Sequence, residues 1–149
     1  MNNGVANITP TVTVTPTYNG CVGTPSNFTV TIYPTPSITT SPMNQTVCEG
    51  VATSAITFTS NLAGSTFAWN YGTAGANLSG FNNGNGSNPL PSMIIAHAGN
   101  SPQTVTYLVV PTSANNCSGP SFFYLNPNII YHLFFFGPTH YAYQCNIHW

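Results

Sequence analysis

The chain has 149 residues and almost no charge, with no Lys or Arg and a single acidic residue, Glu49. Ordinary domains are about 25% charged, and near-zero net charge favours association because identical chains do not repel each other. Without a cation to neutralise phosphate, binding to nucleic acid or to anionic membrane surfaces is excluded. The longest apolar run, residues 129–136, contains His132 and is too short to span a bilayer.

The same composition predicts a protein without catalytic activity and without a cofactor. Mechanisms with paired carboxylates need two acidic groups, and the chain has one. A Ser-His-Asp triad lacks its Asp, and no G-x-S-x-G turn occurs. Cys145 and His148 are the remaining nucleophile and base, but they stand in the least regular part of the sequence.

In chain order, the first predicted elements are two strands. Residues 11–15 alternate Thr and Val, which is typical of a β-strand. The dipeptide Asn19-Gly20 strongly favours a tight turn. The alternation resumes at 27–33, with Phe28, Val30 and Ile32 on one face. These two strands look like the last strands of a sandwich whose earlier strands are not in the chain.

A proline-rich connector at 33–36 is followed by enough predicted strands to form a complete domain. Ile56 alternates with Phe58, and Phe67 with Trp69, so Phe58, Phe67 and Trp69 are predicted core residues. Residues 78–91 are rich in Asn and Gly and are predicted to form a mobile loop. No segment has a helical period, so the fold class is all-β. The predicted strands of this domain are 45–48, 55–60, 65–71, 92–97, 104–110 and 121–125.

The stretch around Cys21 occurs twice in the chain. Pro16 and Pro25 correspond to Pro111 and Pro120, both 95 positions later, and Cys21 corresponds to Cys117, 96 positions later. The next cysteines follow at similar intervals, 27 positions from Cys21 to Cys48 and 28 from Cys117 to Cys145. Residues 1–35 are therefore predicted to be the terminal strands of a preceding repeat, or a segment donated between subunits, and 36–125 to form a complete repeat. Residues 126–149 are an aromatic tail that begins a third repeat.

Several motifs resemble, in order, the PKD-like immunoglobulin-type repeats of large secreted bacterial surface proteins. These are NQTVCEG at 44–50, TFAWN at 66–70, PSMIIAHAGN at 91–100 and PTSANNCSGP at 111–120, with PTYNGCVGTP at 16–25 resembling the end of a preceding repeat. The resemblance implies an Ig-like antiparallel β-sandwich, tandem arrays, export to the cell surface, and roles in adhesion or fibrous assembly.

Four cysteines in an exported β-protein predict disulfides. The repeat favours a Cys48–Cys117 bridge inside the complete domain. Cys21 and Cys145 then pair with each other within one chain, or Cys145 of one subunit pairs with Cys21 of the next. The alternatives are two free thiols or a zinc site, which the wide cysteine spacing argues against.

Six Asn-x-Ser/Thr triplets are candidate glycosylation sites, because attached sugar would supply the hydration that charges do not. Three histidines stand near Cys145 in the tail, but no carboxylate is present there to orient a metal-binding imidazole. We therefore predict packing and interface formation for the tail rather than metal binding. The six asparagines are Asn7, Asn27, Asn44, Asn77, Asn85 and Asn116, and the three histidines are His132, His140 and His148.

The leading functional hypothesis is a structural subunit of an extracellular bacterial filament or surface array that polymerises with itself. The strands at both ends lack their own sandwich, and an unpaired strand templates the addition of another chain. The predicted assembly residues are Val12, Val14, Phe134, Phe135 and Phe136. The alternative is a carbohydrate-binding module of an adhesin, in which Trp69, Tyr71 or surface tyrosines such as Tyr18 stack on sugar rings. A plain spacer in a stalk is a third possibility.

Overall fold

The computed structural model describes residues 2–41, 44–99 and 101–130, and every regular element in these ranges is a β-strand. The all-β class predicted from the alternation is confirmed. In chain order the strands are β1 (Thr11–Val14), β2 (Thr17–Tyr18), β3 (Cys21–Val22), β4 (Ser26–Thr29), β5 (Asn44–Cys48), β6 (Thr66–Ala74), β7 (Leu78–Ser79), β8 (Asn85–Ser87), β9 (Ala96–His97), β10 (Val105–Thr112) and β11 (Phe122–Ile130).

One layer of the domain is a five-stranded sheet in the order β5-β11-β10-β6-β8. Its pairs are antiparallel except that β5 runs parallel to β11. Along β10 the side chains alternate between buried and half-buried. This is the period of two that places every second residue of a strand on the inward face.

The opposite layer is less regular. It is held by the β7–β9 pair and by isolated bridges such as Ala52↔Ile94 and Ile56↔Leu90. Apolar side chains of the two layers interdigitate into one core, as expected of an Ig-like β-sandwich. The sheet contributes Phe67, Trp69, Val105, Tyr107 and Val109, and the second layer contributes Ile56, Phe58, Leu90, Met93 and Ile95.

Two predictions about the segments 55–60 and 78–91 were wrong in detail. Residues 55–60 form isolated bridges rather than a strand, because the Asn88 side chain pairs with both backbone groups of Phe58, at 2.8 and 3.1 Å. The segment 78–91, predicted as a loop, contains β7 and β8, and its Leu90 is fully buried. The Asn88 amide and the buried Leu90 fix these segments, and neither produces a periodic sequence signal.

The N-terminal strands form a hairpin outside the five-stranded sheet. β1 pairs with β4, and the shorter β2 and β3 pair at the tip. The ladder continues toward the domain through a Val30 N–H···O=C Pro10 bond of 3.1 Å and the Ile8↔Ile32 bridge. At the other end of the chain, β11 runs to Ile130, five residues past the end of the strand predicted at 121–125.

Candidate assembly surface

The hairpin of residues 8–32 has two chemically different faces. In its register Ile8 lies opposite Ile32, and Val12 lies opposite Phe28. Since side chains alternate along a strand, the even-numbered residues share one face and the odd-numbered residues share the other. The even face carries Ile8, Val12, Val14, Phe28, Val30 and Ile32, and the odd face is rich in threonine. We call the even face the apolar face of the hairpin.

The apolar face is uncovered within the described residues. Its six large side chains are between 40% and 52% exposed, from Val12 and Ile32 at 40% to Phe28 at 52%. All eight residues of β1 and β4 are exposed. The apolar face has the composition of a sandwich interior, but within the described residues no second layer packs on it. A two-stranded hairpin alone is marginally stable in water.

The tip of the hairpin reproduces the tip of the β10–β11 hairpin. The Gly23 N–H donates to the Pro16 carbonyl at 2.8 Å, and the Gly119 N–H donates to the Pro111 carbonyl at 2.9 Å. The pair Thr17↔Val22 likewise corresponds to the bridge Thr112↔Ser118. The sequence repeat is therefore also a repeat of backbone hydrogen bonding.

The two hairpins differ in what covers them. By the offset of 95 positions, Val12 and Val14 correspond to Tyr107 and Val109. The latter two are 0% and 1% exposed in the core, whereas Val12 and Val14 are 40% and 51% exposed. The apolar face thus consists of core positions that the described part of the chain leaves in contact with solvent.

The outer edge of β4 is also open. The N–H groups of Val30 and Ile32 point toward the first strand of the hairpin, so those of the odd residues Asn27, Thr29 and Thr31 point away from it. Within the described ranges, β4 has β1 as its one strand neighbour. Such an edge presents a row of donors and acceptors to an incoming strand.

The hairpin joins the domain through a hydrogen-bonded junction that the sequence did not reveal. Asn2 is 3% exposed, and its side-chain amide donates to the carbonyls of Ala6 and Ile32, at 2.8 and 3.0 Å. The Thr35 N–H donates to the Asn2 carbonyl at 3.0 Å. Pro36 is fully buried beside Gly119, where a Cβ would collide with the Pro36 carbonyl. A lone polar Asn2 gave no signal of this role.

The predicted core residues lie in the interior. Phe58, Phe67 and Trp69 are 2%, 8% and 3% exposed. The indole N–H of Trp69 donates to the Ser87 carbonyl at 2.7 Å, and its ring meets Tyr107 edge-on at 5.7 Å. A ring held in this way is not available to stack on a sugar. Tyr18, at the hairpin tip, is 79% exposed.

The predicted Cys48–Cys117 disulfide is not formed. Cys48 is buried and disulfide-bonded, but Cys117 is a free thiol, as is the exposed Cys21. Cys48 pairs with Ile130 at the end of β11, whereas Cys117 lies in the turn before β11 begins. The length of β11 separates these levels by roughly 26 Å, and a disulfide needs Cα atoms within about 7 Å. Cys145 lies outside the described residues.

Of the remaining predicted sites, the sequon asparagines lie in the described residues and the sites of the tail do not. All six sequon asparagines are exposed, and the Asn27 side-chain oxygen accepts a 2.6 Å bond from the Thr13 hydroxyl. Phe134, Phe135, Phe136 and the histidines of the tail lie outside the described residues. Across 2–41, 44–99 and 101–130, no group of three or more His, Cys, Asp or Glu side chains forms a candidate metal site. No helix in these ranges has the length and apolarity to cross a membrane.

Comparison with known proteins identifies the domain. A family model described as PKD-like domain matches residues 45–127, more than half of the chain. The chain belongs to the PKD-like domain family. The match begins at β5 and includes all but the last residues of β11, so the five-stranded sheet and its covering layer are the PKD-like domain. No curated protein and no solved structure matches the chain.

The PKD-like domain and the N-terminal hairpin thus differ in what supports them. The domain has its own core, and the family model begins after the hairpin ends. PKD-like domains occur in extracellular and surface proteins, and the chain carries an Ig-like module of that kind. The apolar face of the hairpin is the feature of the chain that its own PKD-like domain does not account for.

Proposed function

We propose that the chain is a non-catalytic structural subunit of an extracellular bacterial filament or surface array, assembled head-to-tail by strand addition between neighbouring copies. The observation that carries this proposal is the uncovered apolar face of the hairpin, whose counterparts Tyr107 and Val109 are core residues. Full burial of an exposed Val or Phe side chain stabilises by about 1.5–3 kcal/mol, and a side chain that is half exposed gains about half of that. Several such side chains on one face are enough to drive association of a chain with almost no charge.

The non-equivalence of the two ends of the domain supports a head-to-tail contact. The hairpin enters the PKD-like domain at Pro36, beside the Gly119 turn, and β11 leaves it at Ile130, at the other end of the sheet. A surface at one end that binds a different surface at the other end repeats without closing and generates a filament. Sugar on the exposed sequon asparagines would solvate the sides of such a filament in place of charge.

The test is sedimentation and electron microscopy of the full chain over a range of concentrations, with variants that lack residues 1–35 or 131–149 as comparisons; the second deletion leaves β11 intact. We expect concentration-dependent polymers in which the domain repeats along one axis, and loss of polymers on either deletion. A full chain that stays monomeric at high concentration, with both deletions without effect, would rule out the filament.

The alternative is a carbohydrate-binding or adhesive module, and the exposure of Tyr18 is the observation that favours it. An aromatic ring at a hairpin tip, next to the positive-φ turn residues Asn19 and Gly20, is placed to stack on a sugar. Glycan-array binding by the full chain that disappears in Tyr18→Ala would support this function. Binding that survives the substitution would argue against it.

A further inference from the structure

We propose that Cys48 forms its disulfide with Cys145 of the same chain. This bridge closes residues 131–144 into a loop at the end of the PKD-like domain where β11 finishes. It ties the aromatic tail to its own copy, at the end of the domain opposite the N-terminal hairpin.

The states of the other cysteines leave Cys145 as the partner. The chain has four cysteines. Cys48 is disulfide-bonded, whereas Cys21 and Cys117 are free thiols. Within one chain, elimination therefore assigns Cys145 to Cys48.

The surroundings of Cys48 favour a partner from the same copy. Cys48 is the last residue of β5 and is 5% exposed. Its register partner in the parallel ladder is Ile130, and neighbouring strands lie about 4.8 Å apart. A tail from a second copy has to reach this buried sulfur from outside, whereas the chain's own tail starts beside it. The effective concentration of the chain's own Cys145 is therefore the higher one.

The tail has a turn signal at the position that such a return requires. Gly137-Pro138 stands midway between Ile130 and Cys145, with six residues on each side, and Gly-Pro dipeptides mark turns. A chain that reverses at this point brings residue 145 back to the level of residue 130, which is also the level of Cys48. The closed segment contains six aromatic residues, Tyr131, Phe134, Phe135, Phe136, Tyr141 and Tyr143.

Bridge formation is a two-electron oxidation, and its oxidant is a small-molecule disulfide. The Cys145 thiolate attacks one sulfur of that disulfide and releases one thiol, and the buried Cys48 thiolate then displaces the second thiol from the mixed disulfide. One S–S bond forms in the protein as one breaks in the oxidant, and the two cysteine protons end on the two released thiols. PKD-like domains occur in extracellular and surface proteins, where disulfides persist.

Under the proposed function, on which this step rests, the bridge decides which element crosses between copies. A segment tied to its own domain at residues 130 and 145 cannot be withdrawn and added to another copy. Strand addition therefore falls to the N-terminal hairpin, and residues 131–144 form a fixed aromatic surface at the opposite end.

Mass spectrometry of the unreduced full chain tests the bridge, after the free thiols are capped. Trypsin has no cleavage site because the chain lacks Lys and Arg, but chymotrypsin, which cuts after Phe, Tyr and Trp except before Pro, places each cysteine in a different peptide. We expect the peptides of Cys48 and Cys145 to appear as one linked species that separates on reduction. The peptides are 19–28 for Cys21, 29–58 for Cys48, 108–122 for Cys117 and 144–149 for Cys145.

A mixture of isotopically heavy and light copies shows whether the bridge lies within one copy. The two are reduced together, reoxidised with oxidised glutathione at a concentration that permits association, and digested in the same way. Linked peptides should be heavy–heavy or light–light. Mixed heavy–light peptides would show that the tail is exchanged between copies and would overturn the inference.

Cys145→Ser, with Cys21→Ser as its matched control, tests the partner independently. Unfolding without reductant should make Cys48 fully open to alkylation in Cys145→Ser and leave it blocked in Cys21→Ser. A Cys48 that stays blocked in Cys145→Ser, or a linked peptide that joins Cys48 to Cys21 or Cys117, would overturn the inference. None of these readings requires assembly, so a bridged chain that stays monomeric would overturn the proposed function and leave the bridge standing.

Discussion

Tyr107 connects the core of the domain to the loop that carries β8. Its hydroxyl donates to the Asn82 carbonyl at 2.8 Å and lies 3.2 Å from the Met93 sulfur. Its ring contacts Trp69 and Tyr71 edge-on, at 5.7 and 6.5 Å between centroids. Removal from water disfavours the phenolate and raises the pKa of Tyr107 to about 12. The residue therefore couples stability to pH in the alkaline range.

We predict that Tyr107→Phe lowers the free energy of unfolding by about 1–2 kcal/mol near neutral pH, because the Asn82 carbonyl loses its donor. Between pH 10 and about pH 12 the unfolded chain releases the Tyr107 proton and the folded chain keeps it. The native protein should lose this part of its stability as the pH rises, and Tyr107→Phe should not.

Urea unfolding of both proteins at about pH 8 and about pH 11 measures the effect, and the remaining tyrosines are the same in each. The stability gap between the two proteins should narrow at the higher pH. A gap of the same size at both values would contradict the raised pKa of Tyr107.

Gly86 is required by the position of Trp69. A Cβ on Gly86 would overlap the indole ring, whereas a Cβ on the nearby Gly84 would meet only the Asn82 side-chain oxygen, at 3.3 Å. We predict that Gly86→Ala lowers the free energy of unfolding by about 1–3 kcal/mol, as overpacking does. The matched Gly84→Ala should change it by about 0.5 kcal/mol or less. Equal effects in denaturant unfolding would show that the indole moves without strain.

Individual residues were predictable where alternation carries the signal. Phe67 and Trp69 belong to a period-two strand, so their burial follows from the pattern. Asn2 and Asn88 belong to no pattern, although Asn2 donates to the carbonyl of Ile32 and Asn88 satisfies both backbone groups of Phe58, each 30 residues away. A side-chain amide that replaces a strand partner depends on where the backbone passes in three dimensions, which local sequence does not encode.

At the scale of elements, the sequence repeat predicted which segments correspond but not where each cysteine lies. The equivalence of the two hairpins appears in matching hydrogen bonds at Gly23 and Gly119. The Cys48–Cys117 pairing failed because β5 runs parallel to β11. This direction carries Cys48 away from the turn that contains Cys117.

We predict a marked difference in hydrogen exchange between the two hairpins of the unassembled chain. Amides of β10 lie inside a five-stranded sheet over a closed core, and amides of β1 and β4 lie in an exposed two-stranded ladder. The hairpin should therefore exchange at least about 100-fold faster, since local opening requires far less free energy than global unfolding. Equal protection of both hairpins in dilute solution would mean that the N-terminal hairpin is already covered.

Thiol reactivity is a second test at this scale. Cys21 is exposed and Cys117 half-buried, and both are free. We predict that an alkylating reagent modifies Cys21 fastest and Cys117 more slowly under native conditions, because access limits the reaction. The buried, disulfide-bonded Cys48 should remain unmodified until the protein is unfolded and reduced. Peptide mapping by mass spectrometry reads all three positions, and early modification of Cys48 would contradict the structure.

At the scale of the whole molecule, the near absence of charged side chains predicts how assembly responds to salt. The chain has a formal net charge of −1 and no cations, so its association does not depend on ion pairs between cationic and anionic side chains. We predict that the protein concentration at which half of the chains are assembled changes less than about threefold between roughly 0.01 and 0.15 M salt. Over this range the Debye length falls from about 30 to about 8 Å. A large rise in that concentration over this range would indicate ionic contacts.

The parallel pairing of β5 with β11 also bears on how the domain responds to tension. A pull along an array enters at Asn44, the start of β5, and leaves at Ile130, the end of β11. These two points lie at opposite ends of one parallel ladder, so the force runs along the strands. All the hydrogen bonds of that ladder must then shear together rather than open one at a time. The rate of forced unfolding depends on the barrier to unfolding. In this arrangement, with the Cys48–Cys145 bridge reduced, the β5–β11 ladder lies between the two points at which force is applied, so its hydrogen bonds must break before the domain unfolds.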